Sequence, residues 1–124
     1  MRFKLIAVAA LALLASGCAT PPPPEPGSAA SKVVAMGPQK HIVVGAMRVA
    51  RENGFMTVNV QLSNTSVNNK TMYYRFAWLG PEGFPVAEEE SWKSLTLYGS
   101  QTSFLPAIAP LAKAVDFRLE IKTP

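Results

Sequence analysis

Met56-Thr57-Val58-Asn59-Val60-Gln61-Leu62-Ser63 alternates apolar and polar side chains without a break. A period of two puts every second side chain on one face, so this stretch predicts a strand with one buried face. Val115, Phe117, Leu119 and Ile121 alternate with Asp116, Arg118, Glu120 and Lys122 in the same way. Met72, Tyr74, Phe76 and Trp78 alternate with Tyr73, Arg75, Ala77 and Leu79. Here the second set is also fairly apolar, which predicts a central strand. Ile42 to Val49 is rich in β-formers, with Gly45 at a predicted bulge. Lys93 to Tyr98 and Gln101 to Ile108 complete the set. No long stretch shows the 3.6-residue period of an amphipathic helix.

Turn chemistry separates these runs. Asn53-Gly54 predicts a tight hairpin, because both residues tolerate positive φ. Asn64 to Lys70 reads as a polar loop. Gly80-Pro81-Glu82-Gly83 reads as a turn, with proline presetting φ. Gly99-Ser100 is expected to join the next pair of strands, and Pro110 to Ala114 to form one helical turn. Six or seven short strands over residues 41–124 predict an all-β fold, a small antiparallel β-sandwich. A half-open barrel is the competing architecture.

Outside that region the composition changes. The chain has 124 residues, 48% apolar and 16% charged, which fits one domain and excludes a multi-domain enzyme. Arg2 and Lys4 precede Leu5 to Ala15, an uncharged apolar segment of about ten residues. That is too short to span a bilayer, which needs about 20. Small residues follow, then the single cysteine, Cys18. Residues 1–17 therefore read as a signal peptide. One cysteine excludes an internal disulfide and a cysteine-rich zinc site.

Leu14-Ala15-Ser16-Gly17-Cys18 resembles the bacterial lipoprotein box. The resemblance implies a thioether-linked diacylglyceryl group on Cys18, cleavage before it, and acylation (palmitate or a similar chain) of the new amine. An ordinary secretory signal with an incidental cysteine is the alternative. Each buried methylene contributes about 0.8 kcal/mol, so three acyl chains hold a protein on a membrane where one does so only marginally. Ala19 stands where aspartate favours inner-membrane retention in enterobacterial-type lipoproteins, which points to the outer membrane.

Residues 18–40 read as the lipidated cysteine and a Pro/Ser/Ala-rich linker. Pro21 to Pro24 and Pro26 favour polyproline II and cannot join a sheet ladder. At about 3.1 Å per residue, twenty such residues reach on the order of 60 Å, enough for a stalk. A proline-rich docking motif is the sharper alternative. Cleavage removes Arg2 and Lys4, leaving 10 basic against 8 acidic residues, a net charge of +2. Neither that charge nor export supports nucleic acid as a partner.

Tyr74-Arg75-Phe76-Ala77-Trp78-Leu79, Gly83-Phe84-Pro85-Val86, Trp92, Leu95-Thr96-Leu97 and Asp116-Phe117-Arg118-Leu119, taken with the lipoprotein box, resemble the YcfL-type family of bacterial envelope lipoproteins. The resemblance implies an immunoglobulin-like β-sandwich and no catalytic residues.

No phosphate-binding glycine loop, HExxH, GxSxG or CxxC is present. His41, the only histidine, reads as a solvated residue at the domain entrance. Glu88-Glu89-Glu90 reads as a solvated, self-repelling loop rather than a catalytic pair or cation site. The sequons at Asn64 and Asn69 read as chance. Trp78 is expected in the core, with a glycan groove as the alternative. Tyr73, Arg75, Phe84 and Trp92 are the candidate partner-binding residues, because Tyr, Trp and Arg dominate protein interfaces.

These readings predict a non-enzymatic, cofactor-free lipoprotein of the outer membrane, facing the periplasm and binding or scaffolding an envelope protein. A peptidoglycan or glycan binder using Trp92, Phe84 or Tyr98 is the alternative.

Overall fold

The computed structural model describes residues 29–124. Residues 1–17, read above as a signal peptide, together with Cys18 and the proline run, lie outside the described residues. A single 3-10 turn, Ala29–Lys32, leads into β1, Val33–Ala35. Then come β2 (Ile42–Glu52), β3 (Phe55–Asn64), β4 (Lys70–Leu79), β5 (Lys93–Leu97), β6 (Thr102–Ile108) and β7 (Asp116–Lys122).

The strands form a four-stranded sheet in the order β1-β7-β4-β5 and a three-stranded sheet in the order β2-β3-β6. The fold is the predicted small β-sandwich. In immunoglobulin lettering, β2-β3-β6 take the places of A-B-E and β7-β4-β5 those of F-C-C′. β1 sits beside β7, where strand G would lie, but runs parallel to it, Val33 opposite Leu119 and Ala35 opposite Ile121.

The alternations become the two inner faces. Val58, Val60 and Leu62 of β3 and Leu105 of β6 pack against Met72, Phe76 and Trp78 of β4 and Phe117, Leu119 and Ile121 of β7. Each such side chain contributes roughly 1.5–3 kcal/mol by leaving water. β4 is central, flanked by β7 and β5, as its two apolar faces require. Asn53 and Gly54 take φ of 52° and 84°, the left-handed pair that a tight β2–β3 hairpin demands. The β2–β3 register shifts between Val44 and Met47, which places the bulge at Gly45. β6 is an edge strand with Pro106 in its middle, a residue that edges tolerate and that discourages pairing with another chain.

Two features depart from the expectations. Val33–Ala35 lies in the sheet, so the sandwich begins ahead of residue 41 and takes in part of the stretch assigned to the linker. Three residues are too few to show a period, and the Ser/Ala-rich context hid them. Gly99-Ser100 joins β5 to β6 as expected, and the link crosses from one sheet to the other. Pro110 to Ala114 makes no helix, only a turn closed by the Ala114 amide on the Leu111 carbonyl at 3.2 Å.

The strand directions define two poles. The near pole carries Asn53-Gly54, the turn at residues 80–84, the loop at residues 109–115 and the 3-10 turn through which the chain enters. The far pole carries residues 36–41, 65–69, 98–101 and 123–124. Asn64, 2% exposed, braces the far pole. Its amide donates to the carbonyls of Asn68 (2.8 Å), Leu97 (3.0 Å) and Tyr98 (3.2 Å), and its carbonyl accepts from the Ser66 amide at 2.9 Å.

Candidate functional site

The side chains that β4 and β7 turn away from the core meet on the outer face of the four-stranded sheet. Cross-strand register puts Tyr73 opposite Lys122, Arg75 opposite Glu120 and Ala77 opposite Arg118. No second layer covers this face among the described residues. The segment between β4 and β5 instead lays Trp92 across it. The Arg75 guanidinium carbon lies 4.3 Å from the Trp92 ring centroid, and Lys122 Nζ lies 4.1 Å from the same ring. Lys122 Nζ is also 5.9 Å from the Tyr73 ring. Two cations thus lie over one half-buried indole, contacts favoured by the ring quadrupole.

Arg75 is saturated. Its Nε donates to Glu120 Oε2 and one terminal nitrogen donates to Glu89 Oε1 at 2.7 Å. The hydrogen bond to Glu120 is the main reason that its pKa is raised. Arg75 therefore builds the face, and Tyr73 and Trp92 offer the contact area.

The acidic run is not a uniformly solvated loop. Glu88 is exposed, and Glu89 reaches Arg75. Glu90 turns to the sheet edge, beyond the last β4–β5 pair, Tyr74 with Lys93. One Glu90 oxygen accepts the Phe76 amide at 3.0 Å and the other accepts Trp78 Nε1–H at 3.1 Å. Trp78 itself is 2% exposed and stacks on Phe76 at 5.3 Å, so it belongs to the core and not to a groove.

Of the predicted contact residues, Tyr73, Arg75 and Trp92 come together. Phe84 does not; it stands at the near-pole turn, 70% exposed. Tyr98 is exposed at the far pole. Trp92, Phe84 and Tyr98 therefore share no single groove. The alternation missed Lys122 and Glu120 as members of the site, although their outward register on β7 was the signal for them. Nothing in the local pattern marked Glu89.

His41 is exposed at the far pole. Among the described residues, no group of three His, Cys, Asp or Glu side chains could hold a metal. No described helix is long and apolar enough to cross a membrane. A separate open cleft of about 590 Å3 lies at the far pole, bordered by Lys40, His41, Lys70 and Thr123.

Six strands in immunoglobulin-like order and a seventh added in parallel, with an outward aromatic and charged face, define a small β-sandwich module. The chain belongs to a family described as a protein of unknown function, DUF1425, whose model matches residues 31–123. It is similar to the crystal structure of Campylobacter jejuni cj0090, with a TM-score of 0.64 and 27% identity over 75% of this chain and 98% of that one. It is also similar to a DUF1425 family member from Shewanella sp. pv-4, with a TM-score of 0.62 and 31% identity over 67% of this chain and 78% of that one. No curated protein matches the chain.

Proposed function

We propose that this chain is a YcfL-type lipoprotein, anchored through Cys18 in the outer membrane and facing the periplasm, that binds an envelope protein without chemistry of its own. One observation carries the binding role. Tyr73, Trp92 and the aliphatic stem of Lys122 form a half-exposed patch on a sheet face that no second layer covers among the described residues. Tyrosine and tryptophan give large contact area at low entropic cost, and charged groups around them set specificity. The lipoprotein box and Ala19 support the anchor, and the proline run supports the reach of the domain beyond the lipid.

Photo-crosslinking in cells tests the reading. A probe replacing Ala77, beside the patch, is expected to capture one specific envelope protein. Tyr73→Ser with Trp92→Ser is expected to lower that yield several-fold at unchanged protein level. Recovery of abundant bystanders alone would overturn it.

A further inference from the structure

The acidic residues of the domain avoid one pole, whereas basic residues occur at both. Glu52, Glu82 and Asp116 lie at the near pole. No acidic residue occurs in 26–51, 53–81, 91–115 or 121–124, which supply the whole far pole. That pole holds Lys40, Lys70 and Lys122, together with His41. Lys122 is engaged by Trp92 and Tyr73. Neither Lys40 nor Lys70 has a carboxylate partner among the described residues. Both border the 590 Å3 cleft, with the side chains of Asn69, Thr71 and Thr123 beside them.

The cleft is held in shape. Asn64 pins residues 66–68 to the end of β5. Thr123 Oγ1 donates to the Pro38 carbonyl at 3.2 Å, closing the other rim. Asn69 Oδ1 accepts the Gly99 amide at 3.0 Å, which leaves its NH2 group as a donor. Two lysines and the Asn69 amide bordering one opening suit a carboxylate on a narrow, flexible chain. A folded protein needs a patch of about 800 Å2 per partner, far more than this opening offers.

We propose that the far-pole cleft binds the free carboxylates of cell-wall peptide stems. The chain enters at the near pole, so the cleft points away from the anchor and toward the wall. That direction rests on the lipid anchor proposed above, but the chemistry of the cleft does not.

Co-sedimentation of the full-length chain in detergent with isolated peptidoglycan sacculi tests this. Wild type is expected to sediment at low salt and to be released as salt screens the contact. Lys40→Glu with Lys70→Glu should weaken binding by about tenfold, as should sacculi whose carboxylates have been amidated with carbodiimide. Lys40→Gln with Lys70→Gln keeps the side-chain stems and should show the same loss at an unchanged melting temperature. Tyr73→Ser with Trp92→Ser should sediment as wild type does, which separates this cleft from the crosslinking face. Wild type that stays in the supernatant, full binding by the lysine variants, or full binding to amidated sacculi would each overturn the proposal.

Discussion

Lys32 closes on Asp116 at 2.6 Å, tying the turn that leads into the sandwich to the first residue of its last strand. The two lie 84 positions apart, and both side chains are less than a third exposed. Burial pushes the Asp116 carboxyl up, but hydrogen bonds from Lys32 and from the Phe117 amide outweigh it and leave its pKa lowered. A carboxylate with a depressed folded pKa stabilises fully above its unfolded value, ~3.9. The contribution is lost as pH falls through the folded value. Asp116→Asn is therefore expected to cost about 1 kcal/mol at pH 7. Thermal melts of variant and wild type should converge as pH drops below the ordinary carboxylate range. A constant gap down to pH 2 would contradict this account.

Glu90→Ala removes the acceptor of two groups at once, the Phe76 amide and the Trp78 indole. An unsatisfied buried donor costs about 1–3 kcal/mol. Urea denaturation should show at least that loss. Glu90→Gln keeps one acceptor oxygen and should fall between the two.

Asn64→Leu tests the far-pole brace. Four hydrogen bonds end on this side chain, and it is 2% exposed. The variant is expected to lose about 2–3 kcal/mol and to show faster amide exchange over residues 65–69. The same burial means that the sequon at Asn64 cannot carry a glycan in the folded chain.

Two glycines should respond unequally to alanine. A Cβ on Gly99 would run into the Val67 carbonyl, which is backbone and cannot step aside. Gly99→Ala is expected to cost about 1–3 kcal/mol. A Cβ on Gly45 would meet Gln61 Oε1 at 2.8 Å, the mobile end of a side chain. Gly45→Ala should cost less than about 1 kcal/mol. Melting temperatures compared side by side decide the matter.

Cys18→Ala addresses the anchor directly. The variant is expected to lose acyl labelling and to leave the membrane fraction. Retention in the membrane would mean that the folded domain, not the lipid, holds the protein there.

Six of the seven strands were legible because each carries enough residues for a period of two to show against its polar turns. β1 was not, since three residues beside a proline-rich run carry no rhythm, and its pairing with β7 is decided by tertiary contact. The division into sheets was also hidden, because a short β5–β6 connection looks the same whether it turns back or crosses over. The site was half legible. Tyr73 and Arg75 followed from the outward register of β4, and Trp92 from its place after the acidic run. Glu89 and Glu90 were misjudged because their roles depend on where the sheet edge lies open. The far-pole cleft gave no local signal, as it assembles from three separated stretches whose shared trait is the lack of acids.

The parallel seating of β1 has a mechanical consequence. Any pull on the chain ahead of Ala29 is directed from the near pole along the strand axis. β1 is then loaded in shear against β7, so its backbone bonds share the force instead of peeling open one by one. Strain on the entering chain therefore reaches this three-residue seam before it reaches the other six strands.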